Sequence, residues 1–175
     1  MKKLFLALPL VALAACGGGD STASDKDVLM TSDIDSMVGW LGNPSDLPKG
    51  EAHSGNYSLR VDKNHEFSPG YTAILGQLST TKLRGVKFDA WVYATNKDAS
   101  GKLEFVLKET AGGKEIMHEQ VNLNDVKDYG KWTLVSKEII FPPNANYLSQ
   151  VVIYVSRANS TSPAYVDDLK LTALR

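Results

Sequence analysis

Val86-Lys87-Phe88-Asp89-Ala90-Trp91-Val92-Tyr93 decides the fold class. In an extended chain successive side chains point to opposite faces. Val86, Phe88, Ala90 and Val92 therefore share one face, and Lys87, Asp89, Trp91 and Tyr93 share the other. The same period of two recurs on both sides. Upstream, Tyr57, Leu59 and Val61 alternate with Ser58 and Arg60; downstream, Leu103, Phe105 and Leu107 alternate with Lys102, Glu104, Val106 and Lys108. Ala111-Gly112-Gly113-Lys114 reads as a hairpin turn into a strand from Glu115 to Val121. Trp132 to Ile140, Leu148 to Ser156 and Ala164 to Leu174 complete the set. Residues 96–101, Pro142-Pro143-Asn144 and residues 159–163 carry the breaks. No ten residues from Val28 onward show a helical stripe. Many short strands at nearly regular spacing predict an all-β sandwich or barrel. With no internal repeat and no second boundary, one domain runs from Val28 to Arg175.

Composition narrows the function classes. The chain has 175 residues, with 19 Lys+Arg against 20 Asp+Glu and a formal net charge of −1. Removal of a leader with Lys2 and Lys3 would leave 17 against 20. That balance argues against nucleic acid, whose backbone is bound by clustered Lys and Arg. With 43% hydrophobic residues the chain can bury a real core. The single cysteine excludes an intramolecular disulfide and any multi-cysteine metal cluster.

Residues 1–15 predict a targeting segment. Met1-Lys2-Lys3 is a short basic start, and Leu4 to Ala15 is an apolar run of twelve. A bilayer span needs about 20 residues, so the run fits a secretory leader. Leu13-Ala14-Ala15-Cys16 resembles the lipobox of bacterial lipoproteins. The resemblance implies cleavage before Cys16, acylation of that residue, and membrane attachment through the lipid. Residues 16–27 would form the lipidated tether. Gly17 follows the cysteine, where inner-membrane lipoproteins of enteric bacteria carry aspartate. The resemblance therefore implies an outer-membrane or cell-surface location. The alternative is an ordinary leader that happens to hold a buried thiol.

Three further stretches carry a second resemblance. They are residues 32–40, which hold Asp33, Asp35 and Trp40; Ala52-His53-Ser54-Gly55-Asn56-Tyr57-Ser58-Leu59-Arg60-Val61; and Ala164-Tyr165-Val166-Asp167-Asp168-Leu169-Lys170-Leu171. Between them lie the aromatic strand with Trp91 and Tyr93, and then Lys131-Trp132. This order is similar to the galactose-binding-like jelly rolls, in particular the carbohydrate-binding modules attached to bacterial glycanases. It spans Val28 to Leu171, without an accompanying catalytic domain. The resemblance implies a jelly-roll β-sandwich that binds a glycan or polysaccharide without catalysis. It also implies a structural calcium held by Asp35, with Asp33 as neighbour, by carbonyls of residues 49–54, and by Asp167. Calcium takes six to eight oxygen ligands, which carboxylates and carbonyls supply. The competing reading makes these acids strand ends facing solvent.

A sugar needs flat aromatic faces for its C–H groups and planar polar partners for its hydroxyls. Trp91 and Tyr93 share the face opposite Val92 and lead the candidates, with Trp132, Tyr154 and Tyr71 as partners. Strand aromatics also build cores, and either alternating set of a sandwich strand can point inward. His65 to Tyr71 reads as a strand start closed by a Pro-Gly turn, or as a polar contact through His65 and Glu66. An enzyme finds little support. Glu104 lacks an acidic partner two residues away, while His53, His65 and His118 are scattered. His118 reads as a solvated residue. No phosphate loop or nucleophile elbow is present in the sequence. A third reading is an adhesion or structural lipoprotein that binds a protein or cell-wall partner.

Overall fold

The structure is a computed structural model that describes residues 27–43, 45 and 47–175. The leader and most of the tether, with Cys16, lie outside the described residues. Two antiparallel five-stranded sheets form a jelly-roll sandwich. The strands are β1 (Val28–Ser32), β2 (Trp40–Leu41), β3 (Leu59–Val61), β4 (Gly70–Ile74), β5 (Gly85–Ala94), β6 (Lys102–Lys108), β7 (Glu115–Asn122), β8 (Trp132–Ile140), β9 (Gln150–Ser156) and β10 (Ala164–Leu174). A short helix, α1 (Leu75–Leu78), follows β4, and a 3-10 turn (Leu123–Asp125) follows β7. The first sheet runs β1-β10-β5-β8 with β3 also on β10, and the second runs β2-β4-β9-β6-β7. No helix among the described residues is long and apolar enough to cross a membrane.

The period of two becomes the division between core and surface. Val86, Phe88, Ala90, Val92 and Ala94 of β5 are buried, as are Leu103, Phe105 and Leu107 of β6 and Val151, Ile153 and Val155 of β9. Phe88 of the first sheet meets Phe105 of the second, their ring centroids 5.9 Å apart, and Phe105 stacks on Phe141. Trp91, Tyr93 and Trp132 therefore face outward from the first sheet. Tyr71, a sequence candidate for the sugar surface, is instead buried beside Trp40. Trp40 packs as an anchor, and its indole N–H donates to Ser32 Oγ at 2.9 Å.

The hairpin centred on Gly112 sets the register of β6 against β7. Lys102 lies opposite Asn122, Glu104 opposite Gln120 and Val106 opposite His118. Along its other edge β6 pairs with β9, which places Glu104 opposite Tyr154 and Lys102 opposite Ser156.

Candidate functional site

The aromatic residues singled out from the sequence divide between the two outer faces. On the first sheet, Tyr93 of β5 lies opposite Tyr165 of β10 and Trp132 of β8, while Trp91 lies opposite Asp167 and Leu134. Cross-strand partners share a face. Tyr93 packs between Trp132 and Tyr165, with centroids 5.5 and 5.9 Å away. Trp91 is covered by His53, whose ring lies 3.9 Å away and within 13° of parallel. Trp132 meets the same histidine edge-on at 5.8 Å. Trp91, Tyr93 and Trp132 are thus one cluster, closed on itself and on His53.

Tyr154 does not belong with them. It lies on β9 in the other sheet and points away on the opposite side of the sandwich. The sequence grouping of Tyr154 as a partner of Trp91 and Tyr93 is therefore not met: β8 and β5 are neighbours, but β9 is in the second layer. Tyr154 has its own partners. Phe67 bridges to Ser156 just before β4, which brings its ring to 6.0 Å from Tyr154 in an edge contact. Phe67 is 59% exposed. Beside this pair sits Glu104, only 5% exposed although it points outward. Ser156 Oγ donates to Glu104 Oε1 at 2.6 Å, and His118 Nε2 lies 2.9 Å from Oε2. Each carboxylate oxygen keeps a second lone pair for a further donor. Burial, followed by the charges of Glu104 and Glu115, pushes the Tyr154 phenol above its ordinary value.

His118 is exposed, as the sequence reading has it, and it also bonds Glu104 and approaches Glu115 Oε1 at 3.6 Å. Glu104, His118 and Phe67 were missed as site residues. The signal for the first two was present in the hairpin. A turn centred on Gly112 puts residue 104 opposite 120 and leaves 118 diagonal to it on the same face. Phe67 carried no periodic signal, because it enters through an isolated bridge outside the regular strands.

The expected metal residues form a clamp. Asp167 is fully buried, and its Oδ2 accepts the backbone N–H groups of His53 at 2.8 Å and Ser54 at 3.1 Å. Its Oδ1 accepts the N–H of Asp168 at 2.7 Å. Burial pushes the Asp167 carboxyl up to about 6, against the pull of these three donors. Asp168 accepts Ser54 Oγ at 2.6 Å and meets His53 Nδ1 at 2.5 Å. The pair of aspartates thereby seats His53 on Trp91.

Asp35 performs a similar service two residues beyond Ser54, at Asn56 and Tyr57. It accepts the Asn56 N–H and Nδ2–H at 3.0 Å and the Tyr57 N–H at 3.3 Å. The Asn56 backbone and side-chain bonds hold its carboxyl below the ordinary aspartate value. Gly55 sits at φ +62°, and a Cβ there would collide with the Asp35 carboxylate. Glycine is required on both counts. Asp33 is exposed.

As arranged, Asp35 and Asp167 give oxygens to N–H groups of the turn, where the resemblance implies carbonyls around a calcium. Among the described residues no three His, Cys, Asp or Glu side chains gather as a metal centre.

No family model matches the sequence, and no curated protein matches it. Solved structures do. The CBM22-2 xylan-binding domain of Paenibacillus barcinonensis Xyn10C superposes with a TM-score of 0.52 at 19% identity, over 83% of this chain and 99% of that one. The CBM22-1-CBM22-2 tandem of the same protein gives 0.55 at 19% identity, over 91% of this chain and 52% of the tandem. A family 16 carbohydrate-binding module gives 0.51 at 14% identity, over 78% and 92%. The likeness is one of fold. This chain is a β-sandwich like that of carbohydrate-binding modules, and the jelly roll expected from the sequence is the one found.

Proposed function

We propose that this chain is a cell-envelope lipoprotein whose sandwich binds a polysaccharide and does not cleave it. The observation that carries the reading is the outer face of the second sheet. An exposed Phe67 and a partly exposed Tyr154 stand beside the Glu104 carboxylate, which Ser156 and His118 hold in place. Ring faces take the C–H side of a pyranose, at about 1 kcal/mol for each good stack. A fixed carboxylate accepts sugar hydroxyls in charge-assisted bonds. The solved structures of like fold support the class of ligand, since two of those named above are called a xylan-binding domain and a carbohydrate-binding module.

Absence of catalysis is part of the proposal. Glu104, the buried carboxylate at this face, is bonded by Ser156 and His118, while hydrolysis of a glycosidic bond takes two carboxylates across the scissile bond. Glu115, the other acid whose charge reaches Tyr154, is turned to His118 at 3.6 Å. The lipobox-like Leu13 to Cys16 supports attachment to the membrane and a location at the outer membrane or cell surface. The test is retention of the full chain, in non-ionic detergent, on a panel of polysaccharides that includes xylan. Retention that Tyr154→Ala and Phe67→Ala both weaken supports the reading. A folded chain that binds nothing on the panel, or binds equally well after both changes, overturns it.

A further inference from the structure

The strands give the sandwich two distinct ends. At one end lie the start of β1, the last residues of β10, α1 with the segment to Arg84, the β8–β9 connection and the β6–β7 hairpin. Pairing establishes this grouping: Val28 lies opposite Thr172, Gly85 opposite both Leu174 and Ile140, and Gln150 opposite both Ile74 and Lys108. Three of the large exposed hydrophobic residues gather here, with Tyr147 at 71%, Ile140 at 53% and Leu148 at 50% exposure. Tyr147 also walls a depression of about 440 Å³ floored by Leu75, Leu83 and Ala145.

The charge of this end leans positive. Residues 75–84 and 140–149 contain no Asp or Glu, while Lys82 and Arg84 are both exposed. The acids at this end have basic neighbours: Glu109 lies 3.8 Å from Lys114, Glu115 lies 3.6 Å from His118, and Asp27, at the point where the chain joins the domain, is paired with Arg175 at 3.1 Å. Arg175 also bonds Thr81. The chain therefore enters the domain at the end that bears Tyr147, Leu148, Lys82 and Arg84.

We propose that this end is a membrane-contact surface for a bilayer bearing anionic lipid. Tyr147, Leu148 and Ile140 enter the interfacial region, where an amphipathic ring and aliphatic side chains are stable. Lys82 and Arg84 meet the headgroup charge, each contributing about 1 kcal/mol near such a surface. The contact is separate from any acyl chain on Cys16 and fixes how the domain stands on the membrane.

The test uses the full chain with phosphatidylcholine vesicles, with and without phosphatidylglycerol, whose acyl chains are brominated to quench nearby tryptophan. Tyr147→Trp places a reporter at the proposed contact, and Thr161→Trp places one at the far end. With phosphatidylglycerol present, the added emission of Tyr147→Trp is quenched at least twofold, while that of Thr161→Trp is unchanged. Adding Lys82→Glu and Arg84→Glu to Tyr147→Trp removes the quenching. Circular dichroism confirms that each exposed-site variant is folded. Equal quenching at both positions, no quenching at 147, or quenching that survives charge reversal would overturn the proposal.

Discussion

Trp91 and Tyr154 give the sharpest separation of architecture from binding. Trp91→Ala removes a partly buried ring stacked on His53 at 3.9 Å, and Trp132 loses part of the same cluster. A fully buried Trp→Ala costs about 3–5 kcal/mol, and an aromatic pair adds about 0.5–1.5 kcal/mol beyond its area. For a half-buried ring the two together come to about 2–3 kcal/mol. In a domain of this size each kcal/mol moves Tm by about 2–4 °C, so Trp91→Ala melts roughly 5–10 °C lower. Tyr154 loses chiefly its edge contact with Phe67, which is worth about 1 kcal/mol and a few degrees. Ligand retention should show the opposite ranking. The double variant Phe67→Ala/Tyr154→Ala forfeits two stacks, about 2 kcal/mol, and binds roughly 30-fold more weakly. Trp91→Ala binds as the parent does at temperatures where it is folded. The assays are thermal melting by circular dichroism and affinity electrophoresis in a gel containing the retained polysaccharide. Loss of binding in Trp91→Ala with an unchanged Tm would refute the assignment of faces and move the site to the first sheet.

Three other outcomes follow from the same geometry. Glu104→Gln sets an amide N–H against one of the donors from Ser156 and His118, so it lowers stability by about 1–3 kcal/mol and weakens glycan retention about tenfold, both read on one preparation. Asp167→Ala unseats the turn holding His53 and Ser54 and lowers Tm to the same extent with calcium or with chelator; a calcium-dependent difference would restore the metal site. Asp167 also sets a pH dependence. Its folded pKa of about 6 lies above the ordinary value of 3.8, so the native state binds the extra proton and stability falls as pH rises through that window. Relative to Asp167→Asn, the parent loses on the order of 3 kcal/mol between pH 4 and pH 7, and a flat difference in urea-unfolding free energies would count against it.

The core was legible because strand periodicity is local. Val86 to Tyr93 alone states which side chains point in, provided the apolar set faces the second sheet, and it does. What periodicity cannot state is which strands become neighbours. Trp91, Tyr93 and Trp132 converge because β5 pairs with β8, and Tyr154 is excluded because β9 is placed between β4 and β6. Both facts depend on long-range pairing. The acidic motifs were legible only as far as proximity, for a related reason. Asp35 and Asp167 were associated with residues 49–54, and they lie against that turn and the residues just after it, since the order of the motifs carries that proximity. Whether the carboxylates meet a cation or N–H groups depends on the direction in which the turn presents its peptides. Here Asp35 and Asp167 receive N–H groups of residues 53–57.

The two proposed surfaces also constrain each other through the geometry of β9. This strand begins at Gln150, beside the end that carries Tyr147 and Leu148, and finishes at Ser156, opposite Phe67. Six steps at about 3.4 Å separate those points by roughly 20 Å. A domain resting on its Tyr147 end would therefore hold Phe67 and Tyr154 well above the lipid headgroups. Cys16 lies eleven residues before Asp27, and that length spans at most about 38 Å. If Cys16 carries the lipid, so short a tether keeps the domain within one molecular diameter of the bilayer, where an unfavourable orientation would press the aromatic face toward lipid and compete with sugar. On the proposed reading the Tyr147 end resolves that conflict by giving the membrane a different surface to hold. If the chain is anchored and binds glycan through the second sheet, charge reversal at Lys82 and Arg84 should reduce glycan capture on vesicles while leaving capture in detergent unchanged. Equal loss in both settings would mean that these cations act on the sugar directly, and the two surfaces would then be one.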